Sequence, residues 1–224
     1  MPAARRPASR RTRTSKARSP RRGRRAEHKA ATEHHIVKAA LSLFQTKGFE
    51  ATTTREIAKK ADIAEGTVFN YFRTKEDIAL HFFEQEVEEA MATVLKNPRL
   101  RKASLEEKLF ALIHRQLELL HPYERFVGNA FLEALKPASK LGIFSHRAAA
   151  LRHRYLAFVQ TLIEESTPKK SLVPLQWWVP DAFWLFYMVV LLYWLNDSSP
   201  KKQNTLAFLD RSLQVGVGLL RRPG

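Results

Sequence analysis

Residues 53–76, TTREIAKKADIAEGTVFNYFRTKE, hold two short helical patterns around a three-residue break, and this segment limits the possible folds more than any other. The first helix is predicted from Thr54 to Ala61, with threonine favoured at its N-cap and Ile57, Ala58 and Ala61 forming an apolar stripe. Asp62-Ile63-Ala64 forms the turn: Asp tolerates a left-handed backbone, and Ile63 can plug into a core. The second helix is predicted from Glu65 to Phe72. Val68, Phe69 and Phe72 are expected to pack inward, leaving Gly66, Thr67, Asn70 and Tyr71 outward. That outer face is small, polar and aromatic and carries no acid, which suits a helix seated in a DNA major groove.

The block resembles the helix-turn-helix of the TetR family of bacterial transcriptional regulators. The matching elements are Thr53-Thr54, Ile57-Ala58 with Ala61, the run Gly66-Thr67-Val68-Phe69-Asn70-Tyr71-Phe72, and Lys75-Glu76-Asp77-Ile78. Upstream, Ile36, Ala40, Leu43 and Phe44 recur at helical spacing and end at Lys47-Gly48-Phe49, a glycine C-cap. The likeness covers about residues 30–90. Two positions depart from the usual pattern. Asp62 stands where the turn commonly starts with Gly, and Phe69 stands where a phosphate-bonding Tyr is common, so no hydroxyl is available there. The resemblance implies an all-α fold with an N-terminal three-helix DNA-binding domain and a C-terminal helical domain for ligand binding and dimerisation. It implies a homodimeric, ligand-responsive repressor on a palindromic operator, working in the cytoplasm at the nucleoid.

Charge divides the chain. The formal net charge is +16, and eleven Lys or Arg fall in residues 1–26, which contain no acid. This leaves about +5 for the rest. The expected organisation is a disordered basic arm at 1–28, the DNA-binding domain at 29–76 and the helical domain at 77–224. The arm reads either as a solubilising tail or as a segment that tracks phosphate or enters a minor groove. With no cysteine, disulfide and thiolate chemistry are excluded. The basic start lacks the apolar stretch of an export signal, and the most apolar run, 182–195, is short of the roughly 20 residues of a membrane helix. No membrane partner is expected.

The remaining patterns are helical, about nine helices in all, with no strand alternation. Thr74 caps a fourth helix ending near Asn97-Pro98, and Ser104 with Glu107 forms a capping box for a helix over 104–121. Further helices are predicted at 123–136, 145–166, 179–197 and 204–222. The last two, joined by Ser198-Ser199-Pro200, read as an antiparallel hairpin. In the resembled family such hairpins pair into a four-helix dimer interface, expected here from Phe186, Val190, Trp194, Leu206, Leu209, Leu213, Val217 and Leu220. The other reading is an intrachain hairpin in a monomer core.

No catalytic constellation or glycine-rich phosphate loop is present, and the one histidine group near metal spacing, His28 with His34-His35, reads as solvated beside the basic arm, so neither an enzyme nor a cofactor is expected. The expected DNA contacts are Thr53, Thr54, Arg55, Glu65, Gly66, Thr67, Phe69, Asn70, Tyr71 and Lys75. Arg55 is the candidate for a bidentate guanine contact, and Thr54 and Lys75 mark helix N-termini where phosphate can be held. The resemblance also implies a small-molecule cavity in the C-terminal helices. His114, Tyr123, Phe126, Phe131, Tyr155, Phe158, Trp178 and Trp184 are its expected lining, although aromatics at this spacing also build plain cores. Two rival functions remain open: a non-specific architectural nucleic-acid-binding protein driven by the arm, and a ligand-binding helical protein with a vestigial DNA module.

Overall fold

The computed structural model describes residues 20–136, 141, 146–166 and 178–220. It holds α1 (Pro20–Thr46), α2 (Thr54–Lys60), α3 (Glu65–Tyr71), α4 (Lys75–Lys96), the single turn α5 (Pro98–Arg101), α6 (Leu105–Leu120), α7 (Glu124–Ala134), α8 (His146–Ser166), α9 (Val179–Asn196) and α10 (Gln203–Leu220). No strand occurs among the described residues.

Local chemistry sets most helix starts. Thr53 with Glu56, Thr74 with Asp77, and Ser104 with Glu107 each form a reciprocal capping box, satisfying two backbone amides that a helix N-terminus leaves bare. Asn97 caps α5, with Pro98 at its first position. Gly48 closes α1 at φ 98°, and Asp62 turns the chain between α2 and α3 at φ 51°. The left-handed geometry that usually calls for glycine is therefore met at residue 62 by Asp, one of the few residues that adopt it readily.

One boundary differs from the sequence reading. The first helix begins at Pro20, so residues 20–28 are helical rather than part of a disordered arm. The stretch has too few apolar residues to make an apolar stripe, but its Arg, Ala and Glu are good helix formers and continue a helix already nucleated downstream. Residues 1–19 of the arm lie outside the described residues.

In the N-terminal domain, α1 packs on α2 and α2 on α3 around Ile36, Ala40, Phe44, Ile57 and Val68. The C-terminal domain is built round α6, which touches α4, α8, α9 and α10 and buries Leu105, Leu112, Ile113 and Leu117. The two domains share one core. Phe44 and Phe49 from the first meet Phe82 and Phe83 of α4 across Phe126 of α7, with centroid separations between Phe126 and its four neighbours of 5.0, 5.9, 6.1 and 5.7 Å.

The α9–α10 hairpin forms as expected, but its faces are assigned differently. Val190, Trp194, Leu209, Leu213 and Val217 are buried in the subunit's own core, and Phe186 and Leu206 are half-buried. Leu220's side chain lies outside the described residues. The stripe left outside is Leu185, Val189, Leu192 and Tyr193 on α9, with Val215 and Leu219 on α10. An all-apolar helix carries no polar face to show which side turns inward; contact with α6, α8 and α10 decides it. By length and apolarity α9 also resembles a short membrane span, yet its inner face packs within the protein.

The hairpin turn is fixed by polar groups. Asp197 accepts from the Ser199 backbone N–H (2.9 Å), the Thr205 N–H (2.8 Å) and the Thr205 hydroxyl (2.7 Å). Lys202 Nζ donates to Glu124 and to the Trp194 and Asp197 carbonyls.

Candidate nucleic-acid interface and effector cavity

The reading helix is held from below. Val68 and Phe72 are buried, and the Phe72 N–H closes α3 on the Val68 carbonyl at 2.9 Å. Phe69 is 48% exposed, so it faces outward with Gly66 and Asn70, whereas Tyr71 is half-buried against the core. This exchanges the places expected for Phe69 and Tyr71. Positions 68 and 72 lie one turn apart and define the inward direction, and residue 69 is rotated about 100° from 68. A Cβ on Gly66 would meet nothing within 4 Å, so the surface there is flat and open.

Arg55 is exposed on the first turn of α2 beside this face, and Thr67 is partly exposed. Glu65 is tied off: its carboxylate accepts the Thr54 hydroxyl at 3.2 Å and joins α3 to α2. Its role is to fix the angle between the two helices and to favour the α3 N-terminus. Thr53 is exposed, but its hydroxyl belongs to the capping box. Glu56, the other half of that box, also binds Lys47 of α1. The Lys47 contact, reinforced by the Thr53 donors, lowers its carboxyl to about 2.

Lys75 is held more tightly than the sequence suggested. Its Nζ donates to the Phe49 and Glu50 carbonyls, each at 2.9 Å, and sits 4.7 Å from the Phe49 ring centre. The ammonium thus locks the α1–α2 turn onto α4. What remains for phosphate at this position is the backbone N–H at the start of α4.

A cavity of about 150 Å³ opens between α4, α6, α7, α8 and α9. Of the residues expected to line it, Phe131, Tyr155 and Trp184 do so. The others serve elsewhere. His114 stacks on Phe110 and lies 4.0 Å from Glu118; Tyr123 packs edge-on against Phe82. Phe126 is the buried centre of the interdomain cluster, Phe158 is half-buried on α8, and Trp178 is exposed ahead of α9. Helical spacing identifies apolar faces without saying which face borders a void.

Tyr187 lines the cavity as well, and the polar lining that helical spacing did not reveal is Glu86, Gln116 and Arg152. The Tyr155 hydroxyl donates to Gln116 Oε1 at 2.6 Å. Glu86 Oε2 is buried without a hydrogen-bond partner among the described residues. Burial, reinforced by Glu89 and opposed by Arg115, pushes its carboxyl up to about 7. The signal available in the sequence was a single acid, Glu86, one turn beyond the apolar Phe82 and Phe83 on α4.

The cavity wall is connected to the reading head. Phe83 lines the cavity and stacks on Phe126 at 17°; Phe126 contacts Phe44 and Phe49; Lys75 lies over Phe49. On the other side of α4, Arg147 of α8 pairs with Asp77 at 2.5 Å and Arg154 with Glu88 at 3.1 Å.

A buried three-helix scaffold presenting a short helix whose exposed face is free of acid, joined to a helical domain with an internal cavity, defines a helix-turn-helix architecture. Residues 36–82 match the pattern described as bacterial regulatory proteins, tetR family, and residues 108–223 match the tetracyclin repressor-like C-terminal domain. The second match spans more than half of the chain, and the protein belongs to the TetR family.

The chain is 31% identical over 85 residues to the fatty acid metabolism regulator protein of Bacillus subtilis, covering 38% of this chain but only 43% of that relative. Among solved structures, the TetR transcriptional regulator from Nitrosomonas europaea superposes with a TM-score of 0.68 at 18% identity, covering 83% of this chain and 97% of the other. Thermus thermophilus FadR, solved in complex with lauroyl-CoA, gives 0.58 at 22%, covering 81% and 93%. At these identities the structures share the fold.

Proposed function

We propose that the protein is a homodimeric transcriptional repressor that reads a palindromic operator with α3 and leaves it when a small molecule fills the cavity. The observation that carries this reading is the exposed face of α3, where Gly66, Phe69 and Asn70 stand free of acid while Glu65 is bound by Thr54. Such a face meets base edges and phosphates without repulsion. Arg55 supplies the strongest base contact, Phe69 packs on sugar or a thymine methyl, and the basic N-terminal residues add affinity without sequence choice.

Dimerisation is assigned to the outer stripe of the hairpin, Leu185, Val189, Leu192, Val215 and Leu219. Packed against its two-fold copy it completes a four-helix bundle and removes this apolar surface from water. The dimer sets two α3 helices about one helical turn apart on DNA. Filling the cavity displaces α4 through Phe83 and through the Arg147 and Arg154 ion pairs, and Lys75 carries that shift to the α1–α2 turn. The outcome is a population shift between two spacings of the reading heads. The assigned place of action is the bacterial cytoplasm at the nucleoid, and no enzymatic activity is assigned.

Selection of duplexes from a random pool by the purified full-length protein tests the proposal. Enrichment of an inverted repeat with half-sites about one turn apart is expected. Equal recovery of random duplex would instead favour a non-specific architectural protein.

A further inference from the structure

The cavity contains a group whose bonding needs the described residues leave unmet. Building on the effector reading above, we propose that the effector is a compact organic cation, a ring-sized ammonium seated against the Glu86 carboxylate and caged by Phe83, Trp184 and Tyr187.

Glu86 Oε2 has neither a partner among the described residues nor contact with solvent. Leaving such an atom unpaired is expensive, so the ligand that binds best is one that satisfies it. No described neighbour does so. Gln116 already accepts the Tyr155 hydroxyl. Arg115, the nearest cation on α6, is engaged by Glu89 at 2.5 Å and Glu118 at 3.2 Å. Glu89 on α4 and the Tyr187 phenol on α9 add no positive charge. Phe83, Trp184 and Tyr187 line the same cavity as Glu86, and rings of this kind attract a desolvated cation through their negative faces.

Arg152 on α8 lines the same cavity and would suit a carboxylate ligand. It is only half-buried, however, and none of its nitrogens is both buried and unpartnered. An arginine at a rim keeps its charge in water at little cost, whereas the Oε2 atom of Glu86 is out of reach of water. Desolvation therefore favours the cation. Volume also limits the ligand: an apolar cavity of about 150 Å³ holds one benzene-sized ring, so a long acyl chain enters only if the helices part.

The test uses the full-length protein in titration calorimetry at pH 7.5, chosen as roughly neutral. The probes are phenyltrimethylammonium, its neutral isostere tert-butylbenzene, and 3-phenylpropionate. The cation is expected to bind about tenfold or more tighter than tert-butylbenzene, as a desolvated cation–π contact plus an ion pair provides. Glu86→Gln should erase that preference while leaving tert-butylbenzene affinity unchanged, and Glu86→Asp should retain part of it. Equal affinities for cation and isostere, or a preference that survives in Glu86→Gln, would overturn the assignment. Tighter binding of 3-phenylpropionate would overturn the cation but keep the cavity as an effector site. If no probe binds and none alters operator affinity, the effector reading fails as well.

Discussion

Replacing Glu86 by Gln should stabilise the free protein, and only above mildly acidic pH. The Glu86 carboxyl lies at about 7 instead of its ordinary 4.5 because burial, with Glu89 adding to it, disfavours the anion. Between these two values the folded chain holds a proton that the unfolded chain has released. Stability therefore falls as pH rises through this window, and the penalty is fully developed above about 7. A displacement of this size corresponds to about 3 kcal/mol against the ionised form. The side chain is partly solvated, so screening reduces it to about 1–2 kcal/mol. For a chain of this length that is a rise in Tm of roughly 2–8 °C for Glu86→Gln at pH 8, shrinking to nothing near pH 4. Calorimetric melts of both proteins across pH 4–8 measure it. A difference that does not change with pH, or a variant that melts below the parent at pH 8, would refute the claim that an unpaired carboxylate is buried there.

Four further outcomes are expected. Arg55→Ala should weaken operator binding by about 1–3 kcal/mol and relax selectivity at one base pair, read by competition with single-base operator variants; uniform weakening would make it a phosphate contact. Leu192→Glu should give a folded monomer in sedimentation, because Leu192 is exposed within one subunit, whereas Val190→Glu should unfold the chain by burying a charge in its core. Phe126→Ala should cost about 3–5 kcal/mol and split a single calorimetric transition into two, since its ring joins both domains. Deleting residues 1–19, with seven Lys and Arg, should flatten the salt dependence of DNA binding while sparing sequence preference; an unchanged slope would show that the arm does not touch DNA.

The helix-turn-helix was legible because its signals are local. Thr53 and Glu56 find each other three residues apart, Asp62 adopts a left-handed turn, and Ile57, Ala58 and Ala61 share one face wherever the helix packs. The same holds for the capping boxes at Thr74 and Ser104. Legibility failed where a side chain's surroundings came from distant segments. Lys75 looked like a free cation at a helix start, yet the carbonyls of Phe49 and Glu50, 25 or more residues away, hold it. His114 looked like a pocket residue, yet its face of α6 turns away from the cavity.

The amino-acid sequence by itself determined the helices, their caps and turns, and the family to which the chain belongs, because each depends on residues within a turn or two of one another. The tertiary structure decided which side of an apolar helix is inside. On α3 it set Phe69 outward and Tyr71 inward; on α9 and α10 it took Val190, Trp194, Leu209 and Leu213 into the subunit core and left Leu185, Val189 and Val215 outside. It also placed Glu86 on a cavity wall with its Oε2 unpartnered among the described residues. Periodicity records that a residue is apolar and where it lies on its own helix; burial is a property of the surface that comes to meet it.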